Sequence, residues 1–289
     1  MKTNRDINNF PEDLSNINQL KKYARDLTEI YKSEKEKRKE LKVANKQLMN
    51  YADALNKTVL DLKSANRELQ HAYQDTIHRL ILASEFKDKD TGGHITRICR
   101  YSALIAEKLG LKDSEIKNIL YAAPMHDVGK IGIPEHILLK PGKLSETEFK
   151  VVQTHTTIGA SILANSKSEI LQIAQEIAIA HHEKWNGKGY PQGLSGKDIP
   201  LAARIVAIAD TFDALTTRRP YKDPYPVEVA CDILRKEREE HFDPDVVDVF
   251  LKNIDEVLAI KKSVDIVDTM ENTSSPNFTW SERDQIELT

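Results

Sequence analysis

The chain has 289 residues, 40% of them hydrophobic and 30% charged, with a formal net charge of −3 at pH 7. That is enough for one or two soluble domains, and the interleaved basic and acidic residues exclude a bulk nucleic-acid or membrane-surface binder. Cys99 and Cys231 lack zinc spacing and any disulfide framework, no apolar signal-peptide core is visible, and no stretch reaches the roughly 18 apolar residues of a membrane span, so a reducing cytoplasm is the expected location.

Residues 18–80 contain neither Gly nor Pro, and one heptad runs through them unbroken. Leu20, Leu27, Leu41, Leu48, Leu55, Leu62 and Leu69 share one position, with Glu34 as the gap. Tyr23, Ile30, Ala44, Tyr51, Thr58, Ala65 and Ala72 share the other, with Lys37 as the gap. Such a seam, sustained for about eight heptads, predicts a coiled coil. Leu at one position with small or polar residues at the other makes the coil modest, which suits a helix that transmits changes of register or rotation. The seam serves either a second copy or the chain's own globular domain; a homodimer through this helix is the expected use.

The pattern continues through Leu80, Leu82 and Phe86 and is interrupted at Thr91-Gly92-Gly93, where two glycines favour a turn. Ile95, Ile98, Tyr101, Leu104, Ile105 and Leu109 mark the next helix, with Gly110 as its C-cap. Residues 114–125 form another, delivering His126-Asp127 at its end. Ser145-Glu-Thr-Glu148 reads as a capping box opening a helix that carries His155. Residues 168–182 end in His181-His182, residues 200–217 carry Asp210, and Pro226 and Pro244 open two more helices. No segment alternates with a strand period, so the fold class is all-α: a helical segment over 1–75, a globular helical domain over 76–262, and a disordered tail over 263–289.

His94, His126-Asp127, His155, His181-His182 and Asp210 place imidazoles and carboxylates at successive helix positions. First-row divalent metals accept these ligands most readily. Five imidazoles and two carboxylates exceed the needs of one ion, so at least two metals sharing a ligand are expected, and the carboxylate of Asp127 is the natural bridge. Two metals about 3.5–4 Å apart can clamp the attacking and leaving oxygens of a phosphoryl displacement, which points to metal-assisted phosphoester hydrolysis. Blander readings exist: an ion pair at a helix end for His126-Asp127, a satisfied histidine for His155, a surface carboxylate for Asp210. Recurrence of one chemistry at several helix positions outweighs them. Asp210 lies in a nearly apolar helix, where burying a carboxylate requires a pair or a metal. Asp213, one turn on, can orient a ligand histidine. Residues 184–191, Lys-Trp-Asn-Gly-Lys-Gly-Tyr-Pro, form a loop in which Tyr190 can stack on a base or bond a phosphate; Arg218, Arg219 and Lys222 are cations able to hold phosphate oxygens.

Together, His126-Asp127-Val-Gly-Lys130-Ile-Gly-Ile-Pro, His181-His182-Glu-Lys-Trp-Asn-Gly-Lys-Gly189-Tyr190-Pro191, Ala-Asp210-Thr-Phe-Asp213-Ala-Leu, Arg-Arg219-Pro-Tyr-Lys222 and His241-Phe-Asp-Pro resemble the HD-GYP family, a branch of the HD metal-dependent phosphohydrolases. The resemblance covers residues 76–260. It implies an all-helical domain that hydrolyses cyclic di-GMP to the linear dinucleotide and often onward to GMP, using two or three divalent metal ions, iron or manganese. By motif it implies His94, His126, Asp127, His155, His181, His182 and Asp210 as metal ligands. It implies Lys130 as a catalytic lysine beside the phosphate, and Asp88, Tyr190, Arg219 and Lys222 as substrate-binding residues. The chain departs from the pattern at Asn186, where the family usually has Asp, and at Asp90, where many members have an aromatic residue; Asp90 is expected to permit a third metal. The implied partner is a cyclic dinucleotide rather than a DNA or RNA duplex. Residues 1–75 are too short and too helix-patterned for a receiver domain, so an upstream regulatory protein or the coil itself is the expected input. A mononucleotide or alarmone phosphohydrolase competes, and the Gly189-Tyr190-Pro191 loop argues against it. Cyclic GMP-AMP stays within the same chemistry. A cyclic-dinucleotide-binding adaptor without turnover would not need the intact ligand set.

Overall fold

The computed structural model describes residues 10–88, 92–218 and 223–271. Asp90, Thr91, Arg219 and Lys222 lie outside the described residues, and of Asp88 only the helical backbone is described. Among the described residues the fold is helical and contains no strand, and no helix is long and apolar enough to cross a membrane.

Helix α1 spans Phe10–Asp88. Its residues up to Tyr73 belong to one compact unit and those from Gln74 onward to a second. In the first unit the leucine seam faces solvent: Leu27 is 72% exposed, Leu48 69% and Tyr51 73%. Large apolar side chains are thus left in water along a stripe of period 3.5.

The second unit begins with the last turns of α1, which bury Ile77 and Ile81. Helices α2 (Gly92–Lys108), α3 (Asp113–Ala122), α4 (Glu135–Leu138), α5 (Glu146–Gln153), α6 (His155–Leu163) and α7 (Glu169–Ala180) follow. Helices α8 (Leu201–Thr216), α9 (Val227–Lys236), α10 (Pro244–Lys252) and α11 (Ile254–Glu271) complete it. Helix α2 packs against α3, α8 and α11, and α7 against α3, α6 and α8. Helix α8 lies at the centre because it is apolar almost all round: Ile205, Val206, Ile208, Ala209 and Phe212 are inaccessible to solvent. Tyr101 of α2, Phe212 and Phe250 of α10 meet edge to face, with ring centroids 6.0 and 5.0 Å apart. Each such pair adds about 0.5–1.5 kcal/mol beyond the area it buries.

Several local expectations hold. Gly110 ends α2 with φ +80°, and Leu111 N–H closes the turn by donating to Ala106 O at 3.1 Å. Ser145 Oγ accepts from Glu148 N–H at 3.2 Å while Ser145 N–H donates to Glu148 Oε2 at 2.7 Å, a complete capping box. Three expectations need correction. The helix opened by that box does not carry His155; it ends at Gln153, and His155 begins α6. Thr154 Oγ1 and His155 Nδ1 bond back to the carbonyls of Val151 and Val152, at 2.6 and 2.7 Å, and so divert acceptors from a continuous helix. Gly92 and Gly93 are the first residues of α2 rather than a turn. The tail expected from residue 263 is helical to Glu271, because Val264 is buried in the core and Asp265 pairs with Arg97.

Candidate metal centre

Helix α3 stops at Ala122, and a 3₁₀ turn over Ala123–Met125 leads to His126. Asp127, at φ −104° and ψ 8°, breaks the helical path before a second 3₁₀ turn, Val128–Gly132. In a continuous helix adjacent side chains diverge by about 100°; the break lets His126 and Asp127 face one volume. Gly129 then lies directly on α6. A Cβ there would fall 1.8 Å from His155 O and 2.5 Å from Gly159 N, so only glycine lets this turn approach the helix that bears His155.

Four imidazoles are fixed from behind by oxygen acceptors. Nδ1 of His126 lies 2.9 Å from Ala123 O, that of His155 2.7 Å from Val152 O, and that of His181 3.0 Å from Ile177 O. His94 Nδ1 lies 2.7 Å from Asp213 Oδ2. A carbonyl cannot donate, so Nδ1 must carry the proton in the first three, and a neutral ring then offers a bare Nε2. Nε2 of His155 and Nε2 of His181 face each other at 3.4 Å. Two lone pairs so placed repel unless a cation or a proton lies between them.

The donor atoms form two groups, each within 4.8 Å: Asp127, His155, His181 and His182 in one, His94, His126 and Asp210 in the other. Asp127 belongs to both by geometry. Its Oδ1 lies 3.2 Å from His155 Nε2 and 3.7 Å from His181 Nε2, and its Oδ2 lies 3.2 Å from His126 Nε2. His94 Nε2 lies 3.7 Å from Asp210 Oδ1. Ligand atoms at about 2.1 Å from one ion stand roughly 3–4 Å from each other, so these spacings fit cation shells. Among the described residues, buried His126 Nε2 and Asp127 Oδ1 make no well-aligned hydrogen bond, as coordinating atoms would not. The residues present therefore fit divalent cations.

The field inside the cluster is uneven. Burial works against ionisation of Asp127, yet the Lys130 ammonium, 2.7 Å from Oδ2, and His126 hold the carboxyl well below its usual range. Burial also disfavours charge on His126, but Asp127 and Asp210 outweigh it and push that imidazole up to about 9. Burial dominates at His155, lowered to about 4, and at His182, held well below its ordinary value. The cluster thus keeps carboxylate charge and neutral imidazoles on its His155 side, the state that binds metals.

The loop after α7 closes one wall. Tyr190 stacks on His182, with centroids 4.8 Å apart, and meets the edge of Phe149 at 6.2 Å. Burial raises the Tyr190 hydroxyl above its normal value, so it remains a donor. Glu183 organises this loop: its buried carboxylate accepts N–H groups from Gln192, Gly193 and Leu194 at 2.7, 3.1 and 3.1 Å. Asn186 contributes no carboxylate; its amide donates to Glu240 Oε2 at 2.8 Å and its oxygen accepts from Lys188 N–H at 2.9 Å.

Sequence reasoning thus selected residues that the fold brings together: His94, His126, Asp127, Lys130, His155, His181, His182, Tyr190 and Asp210. Asp213 orients His94, as its spacing suggested. Asp90, Arg219 and Lys222 lie outside the described residues, as does the side chain of Asp88. Two residues escaped that reasoning. Glu183 directly follows the histidine pair, and Arg97 stands one turn after His94 on the buried face of an amphipathic helix and is 2% exposed; a charge in either setting needs a partner.

The model of the HD domain family matches residues 80–246. A Thermotoga maritima protein named cyclic di-GMP phosphodiesterase is 41% identical over 227 residues, covering 77% of this chain and 62% of that protein. A Vibrio cholerae protein named 3'3'-cGAMP-specific phosphodiesterase 2 is 43% identical, covering 71% of this chain and 38% of its own length. The Xanthomonas campestris cyclic di-GMP phosphodiesterase response regulator RpfG is 41% identical, covering 71% and 56%. The chain therefore spans between 38% and 62% of the length of these relatives.

Proposed function

The chain belongs to the HD domain family, in its HD-GYP branch, and from that premise we propose that it hydrolyses the phosphodiester bonds of cyclic di-GMP, giving the linear dinucleotide and then GMP. The observation that chiefly supports this reading is the carboxylate of Asp127, which turns one oxygen to each of two donor groups. His155, His181 and His182 would hold one cation with Asp127, and His94, His126 and Asp210 the other. Iron or manganese suits such mixed imidazole and carboxylate shells, and Asp90 would add a third ion. Bound cations supply Lewis acidity toward the phosphoryl oxygens and lower the pKa of water.

The chain's own groups do the rest. Lys130 puts a positive charge beside Asp127, where charge develops on the phosphoryl oxygens. Tyr190 keeps its proton and donates to substrate at the rim, Arg219 and Lys222 hold the phosphates in line for displacement, and Asp88 binds a hydrogen-bond donor of the substrate rather than its phosphates. Water adds across the P–O bond, and the departing ribose oxygen takes the proton. A second reading, cyclic GMP-AMP as substrate, is favoured by the 43% identity to a relative named for that specificity. The proposed chain is a cytoplasmic homodimer joined through the exposed seam of α1, with its regulatory input arriving through residues 1–75 from an upstream protein.

The test is anaerobic purification, loading with Fe²⁺ or Mn²⁺, metal analysis, and chromatography of products from cyclic di-GMP and cyclic GMP-AMP in parallel. Linear dinucleotide and GMP are expected, with cyclic di-GMP the better substrate. A metal-loaded full chain that turns over neither compound would refute the reading, and three ions per chain rather than two would support the role of Asp90. Sedimentation should show a dimer at micromolar concentration.

A further inference from the structure

Behind His94 stands a charged relay that the proposed reaction does not use. Arg97, one turn along α2, is buried and grips Asp213: Nε donates to Oδ1 at 2.5 Å and Nη2 to Oδ2 at 3.1 Å. The same Oδ2 holds His94 Nδ1 at 2.7 Å. The third guanidinium nitrogen, Nη1, donates to Asp265 Oδ1 at 3.0 Å on α11. Thr217, at the end of α8, joins the cluster by accepting from Arg97 Nη2 at 3.3 Å and from Lys261 Nζ at 3.1 Å. Lys261 also stands 3.8 Å from Asp265 Oδ2.

An arginine among apolar helices is costly to bury, and a fork satisfied on both carboxylate oxygens is rigid. Asp213 alone could rotate about its side-chain torsions and present either oxygen to His94. With both oxygens held by Arg97, only one ring orientation of His94 keeps its Nδ1 bond, and Nε2 is then directed at His126 and Asp210. Partners of ligand histidines commonly contribute 10–100-fold to metal affinity by fixing ring tautomer and orientation. The relay also leaves the stretch matched by the family model, residues 80–246, and ends on α11.

We propose that Arg97 and Asp265 are positioning residues for the His94, His126 and Asp210 cation, so that α11 sets the affinity of that site from behind. The proposal rests on the reading of the two donor groups as cation sites. It assigns no contact with substrate to either residue. It makes the two cation sites unequal in dependence: the relay touches His94 and none of Asp127, His155, His181 or His182.

The test is Mn²⁺ titration of the full chain by calorimetry, counting ions and affinities per chain, beside denaturation of the same metal-free samples. Arg97→Lys keeps the charge and loses the fork. It is expected to weaken one Mn²⁺ ion by about 10–100-fold while an ion held by Asp127, His155, His181 and His182 is unchanged. Asp265→Asn, at a half-exposed position, keeps an oxygen that can accept from Arg97 and should weaken the same ion by a smaller factor. Restoring bidentate geometry with added guanidinium in an Arg97→Ala chain should recover part of the loss. Two unchanged affinities in a folded Arg97→Lys chain overturn the relay. Equal weakening of both ions, tracking lost stability, also overturns it, since that marks a structural role. If Arg97→Lys does not fold, Asp265→Asn decides by the same criteria. A wild-type chain that binds no divalent cation would instead sink the metal-site reading beneath, a result readily told from the others.

Discussion

Replacing Glu183 with alanine is expected to lower the stability of the metal-free chain by about 3–5 kcal/mol, a large share of the roughly 5–15 kcal/mol that holds a domain folded. The carboxylate is 2% exposed and accepts three backbone N–H groups, from Gln192, Gly193 and Leu194. Hydrogen bonds to a charged group contribute about 1.5–3 kcal/mol each, and donors stranded by the truncation lose more. The three share one acceptor and will not add fully, which sets the lower bound. Glu183→Gln discriminates further. Its amide oxygen, placed as Oε1, still accepts from Gln192 and Gly193, but its NH₂ then opposes Leu194 N–H, so about 1–2 kcal/mol is expected. Urea denaturation in chelator measures both, since bound cations would otherwise add their own stabilisation. Amide exchange at residues 192–194 should quicken in the alanine variant. A change below about 1 kcal/mol with unchanged exchange would show that the loop is held by something else.

Asp127→Ala is expected to abolish turnover and to strip both cations, read by elemental analysis of the purified variant, since its two oxygens face both donor groups; full activity would end the mechanism. Gly129→Ala should fail to fold or lose metal, because the new Cβ falls 1.8 Å from a backbone carbonyl that has no room to retreat; a stable, metal-replete variant would contradict that packing. His241 gives a pH test away from the cluster. Burial and the nearby Lys184 ammonium lower its pKa to about 4 from an ordinary 6.5. Above pH 6.5 both folded and unfolded forms are neutral and nothing is lost; between 6.5 and 4 the unfolded chain takes the proton first, so stability falls with falling pH by up to about 1.4 kcal/mol per unit. His241→Gln should remove that slope, narrowing its stability deficit between pH 7.5 and pH 5 by about 1–2 kcal/mol in urea denaturation, and parallel profiles would refute it.

The candidate ligands were legible because they are out of place. An imidazole or carboxylate in a helix as apolar as Ile205–Leu215 must answer to something, and Asp210 and Asp213 could be picked out by that rule alone. The long first helix was legible from a stretch without Gly or Pro, along which the seam leucines repeat at fixed spacing. What holds the ligands was not legible, because much of it is backbone. The carbonyls of Ala123, Val152 and Ile177 fix three imidazoles, and every residue has a carbonyl. Their availability depends on where a helix stops, and helix ends are the least determined feature of a sequence pattern. The break before His155 illustrates the point. The apolar period runs on through Val151 and Val152, and only the competing bonds of Thr154 and His155 end the helix there.

Glu183 and Arg97 were missed for a related reason: the partners that justify them are far along the chain or are main-chain atoms. Glu183 is satisfied by three amides nine to eleven residues on, and Arg97 by carboxylates 116 and 168 residues away. A buried charge announces that partners exist without saying which. The polar composition after residue 263 misled in the opposite direction. Asp265 looked like one more solvated charge, although it is the far end of the bonds that steady His94. A rule that reads charged residues as surface fails at this cluster, because charges bonded behind a candidate ligand such as His94 come from whatever helix lies there.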